Sequence, residues 1–202
     1  TDNQAPIFAT MAPVSLNEDD SPINIDVNNL LIEVVDPDVG DTHDIIALEQ
    51  LSGRVINFSY DALTGNLNIL SGQFEDLAAG ESEALIFDVT VADSYGETVH
   101  TTLTVTMHGE NDAPTAAILD PANFGEDAAL MNIDANSLLH DVLDVDANDS
   151  HHVSNMVQAS GRVVVHNYDA LTGNLNILAG QFEDLADGES EDITFDATIS
   201  DG

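Results

Sequence analysis

The sequence has no cysteine and no tryptophan, and only two of its 202 residues, Arg54 and Arg162, carry a permanent positive charge. Without cysteine, neither disulfides nor thiolate metal sites contribute, and the compartment cannot be read from redox chemistry. The shortage of basic residues excludes nucleic acid as a partner, because phosphate contacts require them, and excludes an anionic membrane surface on the same ground. No apolar run reaches the ~18 residues of a spanning helix, and no basic segment followed by an apolar one opens the chain. The expectation is no membrane insertion and no Sec-type signal, which fits a fragment or a protein exported by another route.

Against two arginines stand 38 aspartates and glutamates, a formal charge of -36. Self-repulsion of that size destabilises any compact state unless counterions or bound cations offset it. Yet 43% of the residues are hydrophobic, and they alternate with polar ones, which separates this chain from a disordered acidic tail.

Self-similarity decides the organisation. The stretch Tyr60-Asp-Ala-Leu-Thr-Gly-Asn-Leu-Asn-Ile-Leu70 recurs unchanged as Tyr168 to Leu178, a shift of 108 residues, and Ser52-Gly-Arg-Val55 recurs as Ser160-Gly-Arg-Val163. The same shift maps Glu18-Asp19 onto Glu126-Asp127, Asp36, Asp38, Asp41 and His43 onto Asp144, Asp146, Asp149 and His151, and Asn3-Gln-Ala-Pro6 onto Asn111-Asp-Ala-Pro114. Two units of β-sandwich size stand in tandem, residues 1–110 and 111–202, and the second lacks the counterpart of residues 95–108, a last strand.

Within a unit the hydrophobic period is two. Ile23, Ile25 and Val27 alternate with polar residues, as do residues 55–60, Leu67 and Ile69, residues 86–91 and residues 99–107, and these read as half-buried strands. Pro37 with Gly40, Gly65, Gly80 and Gly96 supply turns between them. About seven antiparallel strands per unit in two sheets are expected. Residues 73–77 read as a short helical turn, with Phe74 and Leu77 plugging one end of the sandwich.

These residues carry a family resemblance. Gly109-Glu-Asn-Asp-Ala-Pro114 after a Thr/Val-rich strand, Asn17-Glu-Asp-Asp20, Asp36-Pro-Asp-Val-Gly-Asp41 and Val91-Ala-Asp-Ser-Tyr-Gly96 resemble, in this order and spacing, the bacterial cadherin-like or VCBS-type repeats of large secreted adhesins. The resemblance covers both units. It implies tandem immunoglobulin/cadherin-like antiparallel β-sandwiches, calcium at domain junctions, type I secretion and a role in adhesion or biofilm at the bacterial cell surface. The chain is also similar to rhizobial Rap-type adhering proteins, which implies calcium-dependent binding of extracellular polysaccharide. One departure is Gln4, which stands where Asp112 stands before the second unit.

The residues argue for calcium without the family. Calcium takes about six to eight hard oxygens, and aspartates two apart in a turn aim both carboxylates at one ion, as Asp36 with Asp38 and Asp144 with Asp146 can. In a sandwich the loop after the second strand lies where the chain enters, so Asp144, Asp146 and Asp149 are expected to face Asn111 and Asp112, with Glu18 reaching down from the first unit. Together with the resemblance, this nominates Glu18, Asp19, Asp36, Asp38, Asp93, Asn111, Asp112, Glu126, Asp127, Asp144, Asp146 and Asp149 as Ca2+ ligands. The plainer reading, that Asp and Asn are simply turn formers on a solvated face, accounts for one such turn better than for a repeated set.

Other features yield less. Residues 62–66 and their repeat are explained by a hairpin that needs glycine. Asp149-Ser-His-His152 has the composition of a transition-metal pair, but adjacent histidines on a strand point to opposite faces, and a solvent-facing loop is the better reading. Arg54 and Arg162 are expected to hold carboxylates of their own unit bidentately. No catalytic constellation repeats, so no enzyme is expected. Two roles remain: a calcium-stiffened spacer whose partners are neighbouring repeats of the same chain, and a calcium-dependent module binding polysaccharide. The absence of tryptophan for sugar stacking favours the spacer.

Overall fold

A computed structural model describes residues 2–201. It divides into two compact units, Thr1–Asn111 and Asp112–Gly202, each built from strands.

In unit 1 the chain forms β1 (Phe8–Met11), β2 (Val14–Asn17), β3 (Ile23–Asp26), β4 (Leu31–Val35), β5 (His43–Ser52), β6 (Phe58–Asp61), β7 (Asn66–Ile69), β8 (Ser82–Asp93) and β9 (Thr98–His108). The long strands are where alternation is longest. β8 points Leu85, Phe87, Val89 and Val91 inward and β9 adds Leu103, Val105 and Met107, all at 0% exposure, while threonines fill the positions between on β9. These two strands lie in a four-stranded sheet of order β2-β9-β8-β5. A three-stranded sheet, β3-β7-β6, contributes Ile23, Ile25, Leu67 and Ile69 to the same core, and Phe58 meets Phe87 edge to face at 5.2 Å between ring centroids. A third pair, β1 with β4, completes the unit.

Several local expectations are corrected. Nine strands form rather than about seven, and β2 runs parallel to β9 rather than antiparallel. Residues 55–57 are not in a strand, because their backbone amides bond to glutamine side chains instead of a ladder: Asn57 N donates to Gln73 Oε1 at 2.6 Å and Ile56 N to Gln50 Oε1 at 3.4 Å. Val55 is accordingly exposed. Residues 73–77 form a turn closed by Leu77 N on Phe74 O, not a helix, although Phe74 and Leu77 do enter the core. The helical turns lie elsewhere, at Asn28–Leu30 and at α1 (Ala135–Leu138), whose start is capped by the Asp134 carboxylate.

Unit 2 repeats the plan with β10 (Ala116–Leu119), β11 (Met131–Asp134), β12 (Leu139–Leu143), β13 (His151–Ser160), β14 (His166–Asp169), β15 (Asn174–Ile177) and β16 (Thr194–Asp201). β10 pairs with β12, β11-β15-β14 form a three-stranded sheet, and β13 pairs with β16 in the register of β5 with β8. The hairpins β6–β7 and β14–β15 turn at Gly65 and Gly173, both at positive φ, where a Cβ would run into the side chain of Asn28 or Asn136.

The repeated cores differ in depth. Phe87 is fully buried, whereas its counterpart Phe195 is half-buried and meets His166 in place of a phenylalanine. Phe87→Ala is expected to destabilise unit 1 by about 3–5 kcal/mol, and Phe195→Ala to destabilise unit 2 by clearly less. Urea unfolding followed by hydrogen exchange in each unit separates the two, and equal losses would contradict this account of the cores.

Candidate metal centres

Pairing directions fix which acidic residues meet. In unit 1, β1 and β4 are antiparallel and Ile7 N donates to Val35 O at 2.8 Å. This carries residues 3–7 to the end of the sandwich where the loop 36–42 begins, and β8 delivers Asp93 to the same leading end. There the carboxylate oxygens of Asp36, Asp38 and Asp41 lie within 4.8 Å of one another. Asp36 accepts from the Asp38 amide at 2.8 Å and bonds the His43 ring at 2.8 Å, and Asp38 accepts from the Gln4 amide at 2.7 Å. Oδ2 of Asp41 is buried without a hydrogen-bond partner. Its carboxyl is raised above the ordinary range, first by burial and then by Asp36, Asp38 and Asp93. Burial also pushes Asp93 up, but the Asn3 amide at 2.8 Å and the backbone N–H groups of Tyr95, Glu97 and Gly96 outweigh it and hold that carboxyl low.

The leading end of unit 2 reproduces the arrangement. Asp144, Asp149 and Asp201 group within 4.8 Å. Asp144 bonds the His151 ring at 2.8 Å and accepts from the Asp146 amide at 3.1 Å, and Asp146 accepts from the Asp112 amide at 2.7 Å. The His151 bond holds the Asp144 carboxyl low, whereas burial, then Asp146, Asp144 and Asp201, pushes Asp149 up. Asp146 is 4% exposed, and its Oδ1, like Oδ2 of Asp149, has no hydrogen-bond partner. His151 does not lie in a solvent-facing loop as expected from Asp149-Ser-His-His152; it opens β13, where pairing with Asp201 turns it onto Asp144.

At the trailing end of unit 1, where parallel β2 and β9 finish together, Glu18 is 3% exposed and its Oε1 accepts from the Glu110 amide at 2.7 Å. Gly109 is required just before, since a Cβ there would collide with the carbonyl oxygens of Leu77 and Ala78. In unit 2, Glu126 is half-buried and its Oε2 has no hydrogen-bond partner. Asp19, Asp127 and Asn111 are exposed, and Asp19 and Asp127 join none of the carboxylate groupings found among the described residues. Asp41 and Asp201 are absent from the sequence-based ligand set. The 108-residue shift would have supplied both, because it maps Asp41 onto Asp149 and Asp93 onto Asp201.

Neither arginine neutralises these ends. Arg54 donates Nε to Glu83 at 2.8 Å and Nη2 to Asp76 at 3.0 Å, and sits 5.0 Å from the centroid of the Phe74 ring. Arg162 repeats this with Glu191, Asp184 and Phe182. Both are the expected bidentate carboxylate clamps. Apart from the amide N–H groups and the one imidazole in each unit that orient them, the groups that converge at these ends are carboxylates, and this hard-oxygen donor chemistry suits a hard divalent cation such as Ca2+.

No protein-family model matches the sequence, and no curated protein does. Among solved structures the chain is similar to Drosophila N-cadherin EC1-4, at TM-score 0.52 and 15% identity over 95% of this chain and 46% of that one. The fold is cadherin-like. Human protocadherin-24 EC1-2 aligns at TM-score 0.46 and 14% identity, over 98% of this chain and 96% of that one. The chain spans about half the length of the N-cadherin fragment, 46%, and identity this low bears on fold and not on activity.

The arginine clamps make acid sensitivity testable. The hydrogen bond from Arg54 holds the Asp76 carboxyl below its ordinary value, as Arg162 does for Asp184. A depressed folded value means that this stabilisation is present above the unfolded value of about 3.9 and is lost as pH falls through the folded one. Asp76→Asn is therefore expected to flatten the decline of unit 1 stability below about pH 4, measured by urea unfolding across pH. An unchanged slope would mean that the clamp contributes nothing to acid unfolding.

Proposed function

We propose that the chain is a calcium-binding tandem module of a bacterial secreted or cell-surface adhesin. Calcium takes the leading ends of both units, with Asp36, Asp38, Asp41 and Asp93 in the first and Asp112, Asp144, Asp146, Asp149 and Asp201 in the second. Glu18 supplies the trailing end of the first unit. Asp19, Asn111, Glu126 and Asp127 are assigned peripheral or backbone contributions. Ions bound on either side of Glu110-Asn111-Asp112 stiffen that linker, so that a series of such units extends for adhesion and biofilm formation.

One observation carries the reading. Asp41, Asp146 and Asp149 each bury a carboxylate oxygen that has no hydrogen-bond partner, in a chain of charge -36 whose two arginines are engaged elsewhere. Burying an uncompensated carboxylate is costly, and a metal cation is the partner that removes the cost at several oxygens at once. The raised carboxyls of Asp41 and Asp149 point the same way: without a cation these groups favour the folded state only while protonated, and that contribution disappears as pH rises through their folded values. Extracellular calcium concentrations match the weak end of the range of oxygen-ligand sites. The fold likeness to an N-cadherin fragment is consistent with an extracellular role.

Calcium titrated into metal-free protein is expected to raise the melting temperature strongly, and magnesium little. At about 100 times Kd the gain is about 2.7 kcal/mol per independent site. Asp146→Asn is expected to remove most of the gain assigned to unit 2 while leaving that of unit 1. Absence of any calcium-dependent shift would falsify the proposal, and a rise that appears only together with an added exopolysaccharide would transfer the role to sugar binding.

A further inference from the structure

The aspartates at the two leading ends are held by donors that bring no fixed positive charge. In unit 1, Asp38 accepts from the Gln4 amide, Asp36 from the Asp38 amide, and Asp93 from the Asn3 side-chain amide and the backbone amides of Tyr95 and Glu97. Both arginines are engaged elsewhere, with Asp76 and Glu83 or with Asp184 and Glu191. One further donor stands at the same place in both units. His43 Nε2 lies 2.8 Å from Asp36 Oδ2, and His151 Nε2 lies 2.8 Å from Asp144 Oδ2.

Both imidazoles are built into their sheets. His43 opens β5 opposite Asp93 on β8, and His151 opens β13 opposite Asp201 on β16, so strand pairing fixes the backbone from which each ring reaches its aspartate. The rings are 15% and 18% exposed and the aspartate side chains 5% and 4%, which makes the loss of this bond costly. A carboxylate oxygen accepts, so Nε2 carries the hydrogen. The other oxygen, Oδ1, accepts a backbone amide two residues on, from Asp38 at 2.8 Å or from Asp146 at 3.1 Å. Held at both oxygens, the carboxylate has its plane fixed, while each oxygen keeps a lone pair for another partner. Such restraint is needed where carboxylate oxygens of Asp36, Asp38 and Asp41, or of Asp144, Asp149 and Asp201, come within 4.8 Å of one another, because like charges push unrestrained side chains apart.

We infer that His43 and His151 are positioning residues for the cations of the proposed function, on which reading this inference rests: each holds Asp36 or Asp144 in the orientation that a divalent cation requires, as a donor that adds no fixed charge. The ring acts through the carboxylate and not as a ligand, since its Nε2 faces that carboxylate. An imidazole donates in its neutral form, and the aspartate keeps its full attraction for a cation. A lysine there would make the same hydrogen bond while placing a positive charge beside the ion, where it repels. Hydrogen-bonding partners of metal ligands typically change affinity by about 10- to 100-fold.

The test titrates calcium chloride into the metal-free 202-residue chain at one fixed pH and reads Kd for each unit from the NMR shifts of backbone amides in residues 36–42 and 144–150. His43→Leu is expected to weaken binding at 36–42 by about 10- to 100-fold and to leave 144–150 unchanged, and His151→Leu to do the reverse. His43→Gln, which restores an uncharged N–H donor, is expected to recover most of the affinity. His43→Lys is expected to bind calcium as weakly as the leucine variant, although metal-free unit 1 then resists urea at least as well as wild type. A merely structural histidine would not split affinity from stability in this way. If His43→Leu fails to fold, the glutamine and lysine variants carry the same decision, because both keep a donor and they differ in charge. Wild-type Kd in the leucine variant, no recovery with glutamine, or wild-type affinity with lysine would each overturn the positioning role and leave the calcium reading intact. No calcium-dependent shift in the wild-type chain would overturn both.

Discussion

Uncompensated negative charge governs this protein. With 38 carboxylates and two arginines, the chain cannot pair its charges internally, and it places them where a sandwich has least core: at the two ends, and on the outward positions of its strands. Each arginine is spent on a clamp between Asp76 and Glu83 or between Asp184 and Glu191, over Phe74 or Phe182. That leaves the leading ends with several aspartates oriented by backbone amides and one histidine. An Asp-Pro-Asp turn in open solvent would need nothing more. Buried carboxylate oxygens without partners are a different matter, because each carries a desolvation cost that a solvated charge run does not, and the proposed cation sites rest on them.

The strand β9 holds the same position for the apolar side of the structure. It pairs with β8 along its length, gives β2 its place in the sheet, and ends at His108, whose carbonyl receives the Glu18 amide at 3.0 Å before Gly109 turns the chain past Leu77 and Ala78. One strand thus couples the sealing of the core to the placing of Glu18. Unit 2 shows the converse. Where, among the described residues, only β13 pairs with β16, the β2 counterpart is not a strand and Phe195 is half-buried. The two units share sequence and differ in the neighbour that a single edge has.

The legible part of the fold was the part encoded locally. Alternation marked β3, β7, β8 and β9, the exact repeat marked two units, and Gly65 and Gly173 marked their hairpins. Residues 55–57 misled because their alternating apolar pattern carries no sign that Gln50 and Gln73 will capture their amides. The parallel pairing of β2 was illegible for a similar reason: four residues with weak alternation join a sheet only through a strand some ninety positions later. Among the aspartates that converge at the leading ends, Asp36, Asp38, Asp144 and Asp146 were visible as close pairs in turns. Asp41 and Asp201 carry no such local sign and were legible only through the 108-residue shift, which maps Asp41 onto Asp149 and Asp93 onto Asp201.

The sequence by itself determined the charge, the tandem repeat, the strand periodicity and the acidic turns, because each of these is written within a dozen residues or in an exact recurrence. Only the tertiary structure decided which carboxylates converge and which of their oxygens are buried without a partner. Those properties belong to pairs of residues far apart in the chain, and they arise from the direction and register of strand pairing, which no local pattern specifies.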